Sequence, residues 1–227
     1  MNRNTRISIG LVAAALVAFA VVAILSGRGD VETATTPQED VASQPSSSDA
    51  LDPDDERLAR PDSPRLSDGT DAVFVEFLDF ECEGCGAIHP TIDELKSTYG
   101  DRVSFVVRYM PLHTSSVNAA KAAEAAGAQG RYADMYDVLF QRQADWGHQD
   151  VPEEAKFFTY ANELGLNMEQ FRADYDDPAT LARIEQSEAD GRALGVTGTP
   201  TMFMDGVLLQ PKSLEDLTAA FDDALAN

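Results

Sequence analysis

The chain of 227 residues holds two cysteines, and they form one motif, Cys82-Glu83-Gly84-Cys85. Thiols at i and i+3 at the start of a helix share one face, where their sulfurs can bond with little strain. The first then lies at the helix N-terminus, where unpaired N–H groups and the dipole stabilise a thiolate. Cys82 is therefore the candidate nucleophile and Cys85 its resolving partner. Metal binding is the competing chemistry. Zinc takes four ligands and no second cysteine pair exists, but His89 leaves a mixed Cys82, Cys85, His89 site for copper or zinc open. Dithiol chemistry itself needs neither a metal nor an organic cofactor.

Such a motif needs a scaffold that delivers it to a helix start. Residues 72–80 form a run rich in Val and Phe that suits a buried strand, broken only by Glu76 and Asp79. The spacing predicts a helix over 82–99, stopped by Gly100 and interrupted by Pro90, and a second strand over 103–110 whose only charge is Arg108. From about 115 to 194 the chain reads as five successive helices, the fourth capped by Asn167 and the fifth opened by Asp177-Pro178. Five helices exceed one crossover, so they form a helical subdomain inserted between strands. Asp205-Gly206 between two short apolar runs predicts a hairpin, and Ser213 caps a last helix over 213–225.

Ahead of this α/β domain, Arg3 and Arg6 precede a nearly unbroken apolar run over 7–26. At about 1.5 Å per residue it spans a hydrocarbon core of about 30 Å. It reads as a membrane anchor with the bulk of the chain outside. A cleaved signal peptide is the alternative, though its apolar region is usually shorter, about 7–15 residues. Residues 27–57, rich in Ser, Thr, Pro and acids, read as a disordered tether, leaving 58–227 as one domain. A formal charge of −22 argues against nucleic acid as a partner.

The order strand, Cys-x-x-Cys helix with Pro90, helical insertion, then Gly198-Thr199-Pro200-Thr201 before a terminal hairpin and helix resembles the thioredoxin superfamily, and the insertion resembles its DsbA-like branch. The resemblance implies a thioredoxin-like fold and thiol–disulfide exchange with cysteine-containing proteins outside the cytoplasm, disulfide formation being favoured over reduction or isomerisation. It implies that Pro200 follows a cis bond beside the reactive sulfur and that Thr199 docks an extended substrate. It also implies a membrane redox partner that resets the cysteine pair. Glu76 matches a buried acid that exchanges a proton with Cys85, unless it points outward at a strand edge as a solvated charge. The departure lies between the cysteines. Glu83 and Gly84, preceded by Asp79 and Glu81, surround the sulfur with acids that oppose a thiolate, which predicts a weaker oxidant. His89 is a further tuning residue, His113 and His148 read as surface or loop histidines, and Trp146, Met110 and Met202 read as core or groove.

Overall fold

The computed structural model describes residues 50–226; the expected anchor and most of the tether lie outside them. Among the described residues no helix is long and apolar enough to cross a membrane. The elements run β1 (Arg65–Asp68), β2 (Ala72–Leu78), α1 (Glu83–Tyr99), β3 (Val103–Tyr109), α2 (Ser116–Gly127), α3 (Tyr132–Gln141), α4 (Gln143–Trp146), α5 (Glu154–Glu163), α6 (Met168–Asp176), α7 (Pro178–Ala193), β4 (Thr201–Met204), β5 (Val207–Leu209) and α8 (Leu214–Ala226). The expected helical insertion is present, with α4 as an extra turn, and it leaves the sheet after β3 and returns at β4.

The sheet has the order β1-β3-β2-β4-β5. Strands β2 and β3 are parallel, with Glu76 opposite Val107 and Leu78 opposite Tyr109. Strand β4 runs antiparallel to β2, and β5 continues the hairpin. Every residue of β3 is buried and β2 nearly so, which is why both read as apolar runs rather than alternations. Strand β1 escapes the sequence reading because only Leu66 in it is apolar and it merely lines the β3 edge.

One face of the sheet carries Phe74, Phe105, Met202 and Met204 against Ile92 and Leu95 of α1 and Leu217 and Phe221 of α8. Further along the same face, Leu78, Val107 and Tyr109 meet the insertion, centred on α2. Six alanines of α2, at 119, 120, 122, 123, 125 and 126, are at most 2% exposed. Their small side chains let α3, α5, α6 and α7 close around a single helix. The opposite face packs Val75, Phe77, Val106 and Phe203 on Leu58, Leu194 and Val196. Leu51 joins this cluster and donates its N–H to the Gly206 carbonyl at 3.0 Å, so the domain's contacts begin ahead of residue 58.

Arg108 is the buried charge that the second strand had to accommodate. Its guanidinium donates to Asp190 at 2.5 Å and to Ser187 and Ser63, each at 3.1 Å. Arg60 closes the far side of the same carboxylate at 2.6 and 2.8 Å. Burial alone would raise the Asp190 carboxyl, but the hydrogen bonds from Arg60 and Arg108 outweigh it and hold the group down at about 2. The pair thus fastens α7 and the N-terminal segment to β3. Removing one partner strands the other charge in the interior. Asp190→Ala is expected to cost about 3 kcal/mol or more in urea unfolding, with Asp190→Asn, which keeps hydrogen bonding, losing less.

Candidate active site

The chain leaves β2 at Leu78 and must begin α1 at Glu83, so Asp79, Phe80, Glu81 and Cys82 turn inside the protein. A buried turn leaves polar backbone groups that need partners. Asp79 and Glu81, 2% and 0% exposed, are those partners. Asp79 accepts from the Glu81 N–H at 2.9 Å, the Leu112 N–H at 2.8 Å and the His113 ring at 2.7 Å. Glu81 accepts from Ser115 N–H at 2.6 Å and His148 N–H at 2.7 Å. Gln143 of α4 completes the turn by donating to the carbonyls of Phe80 and Cys82 at 2.7 and 2.9 Å. A Cβ on Gly86 would lie 2.5 Å from the Gln143 side-chain oxygen, so a side chain there would push the Gln143 amide aside.

The thiols are held in unlike settings. Cys82 is the N-cap of α1, half-buried, and its side chain does not cap the helix. Instead Sγ lies 3.3 Å from the Thr199 carbonyl oxygen, on the loop whose Thr199-Pro200 bond is cis. Gly84 lies between the two segments, and a Cβ there would make ordinary contacts, 3.4 Å from Pro200 and 3.6 Å from Cys82 Sγ. Cys85 is 1% exposed. Burial pushes its thiol well up, and the Glu76 charge adds to the rise. One sulfur is thus reachable at a helix start and the other is sealed behind it.

Glu76 points inward and is 3% exposed, which removes the strand-edge alternative. Burial raises its carboxyl to about 8. Its charge also bears on Tyr132 and Tyr136, as on Cys85, so all four groups share the interior beneath the motif. A carboxyl that is mostly neutral at pH 7 can return a proton to a leaving sulfur or take one from an attacking thiol.

The acids beside Cys82 lie in two settings: Asp79 and Glu81 are buried acceptors of backbone N–H groups, and Glu83 is exposed, with His148 3.5 Å away. His113 and His148 meet edge-on at 5.5 Å, the first held by Asp79 and the second by Glu81, so they belong to the site's frame. His89 is buried against Tyr136 and Phe140, with Nε2 3.1 Å from Asp137 and 3.5 Å from Asp93. Among the described residues the group that converges tightly enough to share an ion is His89, Asp93 and Asp137. It includes neither cysteine. Trp146, Met110 and Met202 are core, the indole donating to the Leu139 carbonyl. Gln143 and Gly86 were invisible to sequence reasoning, because nothing local marks a distant glutamine as the partner of a turn.

The thioredoxin family model matches residues 68–223. The chain belongs to the thioredoxin family. A thioredoxin-like oxidoreductase from Silicibacter pomeroyi DSS-3 is 29% identical, with a TM-score of 0.65, covering 76% of this chain and 98% of its own. Wolbachia pipientis alpha-DsbA1 shares the fold at 20% identity and a TM-score of 0.67, covering 74% and 94% of the two chains. A relative named Na(+)/H(+) antiporter NhaA from Herminiimonas arsenicoxydans is 36% identical over 156 residues, 69% of this chain. The chain spans about a quarter, 23%, of that relative's length. Within the thioredoxin family this chain carries a helical insertion and a Cys-x-x-Cys pair at the start of α1.

The Glu76 environment generates a pH signature. A carboxyl raised in the folded state binds its proton there after the unfolded chain has lost it, so stability falls as pH rises from about 4.5 to about 8. Glu76→Gln removes this term. The variant is expected to gain about 3 kcal/mol relative to the parent between pH 4 and pH 7. Denaturant unfolding at both pH values checks it, and parallel profiles would contradict the burial of an ionisable group.

Proposed function

We propose that this protein forms disulfides in cysteine-containing proteins outside the cytoplasm, held to the membrane by its N-terminal apolar run. The observation that carries the reading is the asymmetry of the pair: Cys82 half-buried at a helix N-terminus beside the Thr199 carbonyl, Cys85 sealed over Glu76. A substrate thiolate attacks Cys82 Sγ, the Cys82–Cys85 bond breaks, and the electron pair leaves on Cys85. Glu76, neutral below about pH 8, supplies that sulfur with a proton. A second substrate thiolate then attacks the substrate sulfur of the mixed disulfide, releasing oxidised substrate and leaving Cys82 as thiolate. The backbone of Thr199, beside Cys82 Sγ, is the proposed docking edge for an extended substrate peptide.

The reduced pair must be reoxidised, and a membrane redox partner reached through the anchor is the proposed source. The direction rests on the place of Cys82 at a helix N-terminus, which favours a thiolate. The acids Asp79, Glu81 and Glu83 oppose it, and the charge of exposed Glu83 is screened by water and salt. Reduction or isomerisation is the second reading, favoured by Glu83 itself.

Equilibration of the full chain with glutathione buffers, followed by thiol trapping and mass analysis, tests the direction. A potential above about −220 mV is expected for a disulfide donor; a value nearer −270 mV assigns reduction. Cys85→Ser is expected to accumulate mixed disulfides at Cys82, whereas Cys82→Ser should form none.

A further inference from the structure

His89 stands one helical turn after Cys85, yet its partners are carboxylates and not the thiols with which its spacing groups it. Its ring is 6% exposed and packs on Tyr136 and Phe140, with centroids at 5.4 and 5.1 Å, so its direction is set by packing. Nε2 lies 3.1 Å from Asp137 Oδ1 on α3 and 3.5 Å from Asp93 Oδ2, which shares its face of α1 at i+4. Asp93 is oriented as well, since Lys96 donates to its other oxygen, Oδ1, at 2.8 Å.

An ion pair accounts for only part of this arrangement. Charged or neutral, an imidazole has a single N–H at Nε2 and serves one carboxylate well. Here two anionic oxygens converge on that nitrogen, and like charges brought together repel. A divalent cation among the three groups removes the repulsion and uses all of them, with the ring proton on Nδ1.

The spacing fits such an ion. Zinc takes imidazole nitrogen at about 2.0–2.1 Å and carboxylate oxygen at about 2.0–2.2 Å, so neighbouring ligand atoms of a tetrahedral site lie about 3.4 Å apart. The observed nitrogen–oxygen separations, 3.1 and 3.5 Å, bracket that value, and one ligand atom from each residue lies within 4.8 Å of the other two. The side chains of Asp93 and Asp137 are 34% and 33% exposed, which gives the oxygens room to close and water access to a fourth position. An imidazole with two carboxylates suits Zn²⁺ better than Ca²⁺ or Mg²⁺, which prefer oxygen alone. Lys96 then acts as an outer partner that holds Asp93 in place.

We propose that His89, Asp93 and Asp137 form a zinc-binding site that ties the motif helix α1 to α3 of the insertion. The site is separate from the chemistry of the cysteines, and neither sulfur is a ligand. Its third ligand is in place only when α3 is packed on α1, so the ion binds the folded chain and stabilises that packing.

The test uses the full chain in detergent with Cys82→Ser and Cys85→Ser, so that no sulfur holds the metal, and with excess Mg²⁺ to cover exposed carboxylates. Equilibrium dialysis against Zn²⁺ is expected to find one tight equivalent per chain, and saturating Zn²⁺ to raise the thermal midpoint by about 5 °C or more. Asp93→Asn and Asp137→Asn, both at partly exposed positions, are each expected to weaken binding about tenfold or more and to remove most of the thermal gain. Glu169→Gln, which alters an exposed acid of α6, is expected to change neither. No tight equivalent in the parent chain, tight binding that persists in both aspartate variants, or an equal loss in Glu169→Gln would overturn the site, the last two as an adventitious ion only. Each of these results leaves the reading of the cysteine pair standing.

Discussion

The site depends on one constraint: a turn of four residues, Asp79 to Cys82, must pass from a buried strand to a helix start without water to solvate its backbone. An unpaired buried N–H or C=O costs about 1–3 kcal/mol, so partners for several groups at once decide whether the turn exists. They come from both directions. Asp79 and Glu81 reach from the turn to the start of the insertion, and Gln143 reaches back to the Phe80 and Cys82 carbonyls. The insertion is therefore a wall of the active site as well as a second layer. Its loops at Leu112 to Ser115 and at His148 are fixed by the acids that also fix the cysteines' approach.

Much of this was legible in the sequence because period and punctuation are local. The two central strands, the motif helix, the insertion and the hairpin appear where apolar runs and cap residues place them, with Asn167, Asp177 and Ser213 accepting from the first-turn N–H groups. The cis bond at Thr199-Pro200 also stands where the family order puts it. What could not be read was which charge faces which partner. Asp79, Glu81 and Glu83 look alike as acids beside a cysteine, yet two are buried acceptors and one is solvated. The difference is made by N–H groups more than thirty residues away, at Leu112, Ser115 and His148. Strand β1 was missed for the opposite reason, since an edge that buries little needs little pattern.

The electrostatics of the site follow from burial more than from the net charge of −22. Exposed acids of an acidic protein are screened within about 8–10 Å at physiological salt, so most of that charge does not reach Cys82. The carboxyls that matter have lost their water. Asp190 meets two guanidinium groups and stays ionised, held at about 2. Glu76 lacks such a cation and is lifted to about 8. Two acids on opposite faces of one sheet thus take opposite states because one was given a charge partner and the other was not. The first serves structure and the second is left with a proton to move.

That distinction bears on why Glu76 sits without a cation. A guanidinium beside it would stabilise the fold, as Arg108 and Arg60 do for Asp190, and would hold the carboxyl permanently ionised. An ionised Glu76 would accept the proton of Cys85 readily but would have none to give when that sulfur leaves as a thiolate. Glu76, raised to about 8 by burial, stands where it can, on the proposed reading, both give and take a proton near neutral pH. On the proposed reading, the choice between forming and breaking disulfides falls to Cys82, through the balance of its helix N-terminus against the acids beside it, and the stability forgone at Glu76 keeps the buried sulfur reversible.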